Sequence, residues 1–255
     1  MSVLLKAENI CRYFGGVKAL HNVDLEIMDD EILGVIGPNG AGKTTLFNVL
    51  TGFDKPTSGK IIFNDVDMTG KPVHEMNKAG IGRTFQNIRL FDAMTVIDNV
   101  VVGMHNKLQT GLMGIALRLP VTMKQEEEAY KKAWELLEFM GLESYAYEQA
   151  GSLPYGIQKK IEISRALASE PKLLLLDEPA AGMNPQESKE LMNFIKEIRT
   201  LCPSVVVIEH NMNLIMGVSE RVVVLNFGEK LADCKPDEAK CDQKVIEAYL
   251  GHEED

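Results

Sequence analysis

One stretch constrains this chain more than any other: Gly37-Pro38-Asn39-Gly40-Ala41-Gly42-Lys43-Thr44, set between the apolar run ILGVI and the helical run TTLFNVLTG. The spacing is that of the GxxxxGKS/T phosphate loop. Its glycines let successive backbone N–H groups turn inward around phosphate oxygens, and the N-terminus of the following helix adds positive potential. Lys43 then reaches the β- and γ-phosphates of a nucleotide and the Thr44 hydroxyl ligates Mg²⁺. Thr45 continues the same helix start and is counted with the binding residues. A glycine-rich turn that only caps a helix is the competing reading, and the strand and helix flanks count against it.

The rest of the pattern is α/β. Apolar runs at 32–36, 173–176, 205–208 and 222–225 are separated by helical patterns, as expected of a parallel sheet covered on both faces. Alternating patterns over 6–27 and 60–65 predict an antiparallel portion, hence a mixed sheet. Between 92 and 159 the pattern turns helical; residues 125–140 (QEEEAYKKAWELLEFM) carry apolar positions at helical spacing, with Trp134, Leu137 and Phe139 read as packing residues. The expectation is one domain over 1–255, its core formed by 1–91 and 160–255 and a helical subdomain inserted at 92–159.

The run at 173–176 delivers Asp177 and Glu178 at its C-terminal end, where α/β sheets place ligands. Asp177 suits the Mg²⁺ shell. Glu178 suits a general base that takes a proton from the water attacking the γ-phosphate. An acidic pair after a strand is more often a helix cap, but beside a phosphate loop the balance reverses.

Composition narrows the partners. A net charge of −10 leaves no broad basic surface for a phosphate backbone, which argues against nucleic acid. Cys11, Cys202, Cys234 and Cys241 show no metal-ligand spacing and are expected as reduced thiols. The opening MSVLLKAENI lacks a signal-peptide run, and the apolar stretch near 111–123 is broken by Arg118 and Pro120, short of the ~20 apolar residues a membrane helix requires. The HEED tail is read as solvated.

Between the two nucleotide elements the chain resembles the ATPase subunits of ABC transporters. Arg83-Thr84-Phe85-Gln86 resembles their Q-loop, Leu153-Pro154-Tyr155-Gly156-Ile157-Gln158-Lys159-Lys160 their LSGGQ signature, and Glu178-Pro179-Ala180-Ala181-Gly182-Met183-Asn184-Pro185 their D-loop. His210, after VVVIE, is similar to their switch histidine. The resemblance implies a P-loop NTPase core of the ABC ATPase fold, ATP and Mg²⁺ as ligands, Gln86 touching metal and attacking water, and His210 touching the γ-phosphate. It makes Phe14 the aromatic that stacks on adenine, with Tyr13 as the alternative. Pro154, Tyr155 and Gly156 would approach the nucleotide of the opposite subunit. Pro154, Tyr155 and Ile157 depart from LSGGQ, and proline removes both a hydroxyl and a backbone donor. Asn184 stands where the family has aspartate; with Pro185 next and Glu187 three on, it predicts a capping box.

The LPYG-type signature, DEPAAGMNP, RTFQNIRLF followed by MTVIDNV, and the segment LQTGLMGIALRLP together resemble the larger of the two paired ATPases of branched-chain amino-acid importers. The resemblance implies a dimeric motor on the cytoplasmic face of the membrane. Homodimer and heterodimer are both left open, and permease subunits span the bilayer. Importers of urea and short amides share much of this pattern. Lipid or lipopolysaccharide exporters share the catalytic elements, and a soluble ABC ATPase acting on DNA or ribosomes is the reading from another class.

Overall fold

The computed structural model describes residues 2–107 and 120–250. Most of the apolar stretch near 111–123 and the HEED tail lie outside them. The described residues form two compact units, one within Met1–Gln86 and Lys172–Asp255, the other within Asn87–Pro171.

The first unit contains two sheets. The six-stranded one has the order β10-β9-β3-β8-β7-β6, with β3 at Ile32–Ile36, β6 at Ile81–Arg83, β7 at Leu173–Asp177, β8 at Ser204–Ile208, β9 at Arg221–Asn226 and β10 at Glu229–Cys234. Every residue of β3, β7 and β8 is buried, which is why these strands read as unbroken apolar runs rather than as alternation. β3 pairs in parallel with β8 and β9, and β7 in parallel with β8 and β6. Only β10 runs antiparallel, at one edge.

The antiparallel portion expected near the N-terminus is a separate sheet, of order β2-β1-β4-β5, with β1 at Val3–Phe14, β2 at Val17–Met28, β4 at Ser58–Phe63 and β5 at Val66–Asp67. The central sheet is therefore mixed through its edge strand and not through β1 and β2. One apolar cluster joins the two sheets: Leu46, Phe47 and Leu50 of α1 (Lys43–Leu50) are fully buried with Leu20 and Ile61 of one sheet and Val35 and Leu175 of the other. The phosphate loop is thus anchored by a helix embedded in the core.

Helices α2 (Val73–Ala79), α6 (Pro185–Ile198), α7 (Met212–Val218), α8 (Pro236–Cys241) and α9 (Gln243–Leu250) complete this unit. The start of α6 bears out the capping box: Asn184 Oδ1 accepts the backbone N–H of Gln186 (2.9 Å) and Glu187 (3.0 Å), and the Asn184 N–H donates to Glu187 Oε2 (2.9 Å). Asn184→Ala is expected to lower unfolding free energy by about 1 kcal/mol in urea titration, with nucleotide affinity unchanged.

The second unit is helical, with α3 at Val96–Gly103, α4 at Pro120–Phe139 and α5 at Tyr155–Leu167. The boundaries fall at 86/87 and 171/172, not at the expected 91/92 and 159/160, because α5 packs on α3 within this unit. The segment that follows Gln86 is tied to both helices. Arg89 N–H donates to Glu162 Oε1 (3.3 Å), Phe91 N–H to Asn99 Oδ1 (3.0 Å), and the Arg165 guanidinium lies 5.9 Å from the Phe91 ring centre. Along α4 and one residue past its end the buried stripe is Ala129, Ala133, Leu137 and Met140. Leu137 packs as expected. Trp134 is half-buried, tilted against Tyr147, and its Nε1–H donates to Glu138, while Phe139 falls off the stripe and is exposed.

Candidate functional site

The phosphate loop follows β3 directly. At Gly37 (φ 152°) a side-chain carbon would run into the Leu225 carbonyl of β9, so the loop passes there only as glycine. Gly42 (φ 100°) starts α1, and a side-chain carbon on it would lie 2.6 Å from the Ala19 carbonyl oxygen. Ala41 N–H donates to Pro38 O (3.2 Å), and Gly228 N–H, in the β9–β10 turn, donates to Ala41 O (3.0 Å), which pins the loop to the sheet. Pro38 and Ala41 are buried, while Asn39, Gly40 and Thr44 are exposed and Thr45 is half-buried.

Lys43 lies under this loop, 7% exposed, its Nζ donating to Gly37 O (2.7 Å) and Pro38 O (2.9 Å). Burial pulls its pKa down, against the charges of Glu178 and Asp177, which push it up. An ammonium has three donors, so loop carbonyls hold this one by two of them beside two carboxylates.

Strand β7 ends in Asp177, which is buried, and Glu178, whose φ of 43° places a non-glycine residue in the left-handed region. Glu178 N–H donates to Ile208 O (3.0 Å) on β8, fixing that turn. Gln86 Nε2 donates to Glu178 Oε2 (2.8 Å), and His210 Nδ1 lies 3.9 Å from the same oxygen. Gln86, Glu178 and His210 are therefore brought together from three segments of the first unit. A carboxylate so placed can accept a proton from water, with an amide and an imidazole alongside to orient it.

Two residues given no role in the sequence reading belong to this cluster. The Arg83 side chain is 7% exposed; it donates to Asp177 Oδ2 (2.8 Å), Asn48 Oδ1 (2.8 Å) and Thr51 Oγ1 (3.0 Å), with the Phe53 and Phe85 rings each 5.3 Å away. The legible hint was a cation at the end of a strand next to one that ends in carboxylates; strand order is not written in the sequence. Glu209 is fully buried, and its Oε1 accepts Ala180 N–H (2.7 Å) while its Oε2 lies 3.8 Å from His210 Nδ1. Burial raises its pKa, opposed by the Ala180 hydrogen bond and the His210 charge.

Phe14 and Tyr13 point to opposite faces of β1. The Tyr13 hydroxyl is 2.8 Å from His21 Nδ1 and its backbone N–H donates to Thr57 Oγ1. Phe14 is exposed, pairs with Val17, and so sits at the start of the strand whose Ala19 abuts Gly42 of the phosphate loop. In the second unit Pro154 is the N-cap of α5, with Tyr155 and Gly156 its first residues. A side-chain carbon on Gly156 would meet nothing within 4 Å, so packing among the described residues gives no reason for glycine there.

A glycine-rich phosphate loop between a central parallel strand and its helix, with an acidic pair ending the strand two positions away in the sheet, defines a P-loop nucleotide hydrolase. The chain belongs to the ABC transporter family: the model for ABC transporter matches residues 20–181, and that for branched-chain amino acid ATP-binding cassette transporter matches 229–255. It is an ABC ATPase. It is 45% identical over 249 residues to the high-affinity branched-chain amino acid transport ATP-binding protein LivG of Escherichia coli (strain K12), covering 97% of this chain and 98% of that protein. The solved ADP conformation of an ATP-binding cassette of an ABC transporter superposes with a TM-score of 0.85 at 33% identity, over 98% of this chain and all of that one (100%). A dimeric bacterial ABC transporter cassette superposes with a TM-score of 0.76 at 29% identity, over 91% and 98% of the two chains. No helix among the described residues is long and apolar enough to cross a membrane.

Proposed function

We propose that this chain is the ATP-hydrolysing motor of an importer of branched-chain or related hydrophobic amino acids, working as a dimer on the cytoplasmic face of permease subunits. The observation that carries the chemical part is the convergence of Gln86 and His210 on the Glu178 carboxylate (2.8 and 3.9 Å). The names of its relatives, branched-chain amino acid transport ATP-binding proteins, support the solute, since the chain spans them almost end to end.

In this reading ATP lies on the loop from Gly37 to Thr44, its phosphates held by loop N–H groups and by Lys43. The Thr44 hydroxyl, the Gln86 amide and the Asp177 carboxylate are hard oxygen donors of the kind Mg²⁺ takes, and Arg83 holds Asp177 in place for that role. Bound there, Mg²⁺ supplies positive charge that offsets the charge building on the phosphates. Glu178 receives the proton of the attacking water, Gln86 orients that carboxylate, and His210 faces the γ-phosphate. Pro154, Tyr155 and Gly156 face the ATP of a second subunit. The open space around Gly156 supports a close approach from outside, with the N-terminus of α5 supplying positive potential in place of the missing serine. Closure and reopening of the pair would then drive the permease, received around residues 87–94 and the helical unit.

Lys43→Ala tests the nucleotide site. It removes a charge-assisted contact to phosphate and is expected to weaken binding of a fluorescent ATP analogue by about 10–100-fold. Unchanged affinity would mean that the loop does not hold the nucleotide.

A further inference from the structure

We propose that Arg12 is a positioning residue for the nucleobase, a role that rests on reading Phe14 as the adenine-stacking residue. The Arg12 guanidinium lies 4.3 Å from the centre of the Phe14 ring, a cation over one of its faces. It does not reach there loosely. Arg12 Nη2 donates to Asp54 Oδ1 (3.1 Å), and the other oxygen of that carboxylate accepts Asn48 Nδ2 (3.1 Å). Asn48 belongs to α1, the helix that begins at Lys43 of the phosphate loop, and its own Oδ1 accepts Arg83 Nη1 (2.8 Å). The backbone N–H groups of Phe53 and Asp54 both donate to Asn48 O, so the carboxylate is carried by the end of α1.

The arrangement registers an exposed aromatic ring against the helix that anchors the phosphates. A lone phenylalanine at a strand end loses rotamer freedom when a base stacks on it, and a ring already held loses less. A guanidinium over one face also adds cation–π attraction and leaves the other face for a base. Both effects act on the base and neither acts on the phosphates. Arg12 therefore sets how much the adenine ring contributes to nucleotide affinity.

The test titrates the full chain, without Mg²⁺, with ATP and with inorganic tripolyphosphate, and reads the ratio of the two affinities. Arg12→Ala is expected to lower that ratio about fivefold, with tripolyphosphate affinity within about twofold of the starting protein. Phe14→Ala is expected to lower it by about tenfold. Arg12→Lys keeps a cation beside the ring and is expected to recover most of the ratio. If Phe14→Ala shifts the ratio and Arg12→Ala does not, Arg12 has no part in base binding and the proposal fails alone. If Phe14→Ala leaves the ratio unchanged, the adenine reading of Phe14 fails and the proposal with it. Equal weakening of both probes by Arg12→Ala also overturns it, because the effect would not be specific to the base. Should Arg12→Ala not fold, Asp54→Asn loosens the same guanidinium and carries the same expectation in direction, a ratio lowered at least about twofold.

Discussion

Glu178→Gln is expected to lower the rate of ATP hydrolysis by about 10²–10⁴-fold while leaving ATP affinity within a few-fold. The substitution keeps the size of the side chain, and an amide oxygen can still accept the hydrogen bond from Gln86 Nε2. What it removes is the capacity to take a proton from the attacking water. The left-handed backbone at Glu178 (φ 43°) is as accessible to glutamine as to glutamate, so a folding defect is not expected to imitate the result. Phosphate release measured beside equilibrium binding of a fluorescent nucleotide separates the two quantities. Retained turnover would place the general base elsewhere.

Arg83→Ala is the change expected to destabilise the fold most among those at the site. It would leave Asp177, whose side chain is 3% exposed, without the cation 2.8 Å away, and would open space between the Phe47, Phe53 and Phe85 rings. Removing one partner of a buried pair costs about 3–5 kcal/mol, because the remaining charge stays desolvated. For a domain of this size that corresponds to a melting point lower by about 10 °C. Arg83→Lys keeps the charge but not the fork that meets Asp177, Asn48 and Thr51 at once, and is expected to recover less than half of the loss. Scanning calorimetry of both variants checks this, and a shift under about 2 °C for Arg83→Ala would show that the pair does not hold the Asp177 end of β7.

The phosphate loop and the acidic pair of the candidate site are legible because each is a local run of residues. A phosphate loop is a run of consecutive residues, and an acidic pair after an unbroken apolar strand reads directly, since β7 is buried on both faces. The cap at Asn184 was equally legible, being a matter of residues at fixed offsets. What could not be read depends on strand order. Arg83 meets Asp177 only because β6 pairs with β7, 94 positions apart for the two residues concerned. Glu209, at the end of an apolar run, lies between His210 and the turn after Glu178, which it meets through Ala180 N–H. The same limit explains the N-terminal sheet: alternation showed that β1, β2 and β4 are antiparallel, but whether they join the central sheet is decided by edge pairing, which leaves no periodic trace. Phe139 departs from the expected packing for a simpler reason: it stands two positions beyond Leu137, about 200° round the helix, and so falls off the buried stripe.

In the proposed dimer two such chains close on ATP, each offering its signature loop to the other's phosphate loop. The most direct measurement is the mass of the Glu178→Gln chain by light scattering at several concentrations, with and without Mg-free ATP. A monomer of 28.3 kDa is expected without nucleotide, and a doubling of mass with it. A monomer at every concentration under saturating ATP would contradict it.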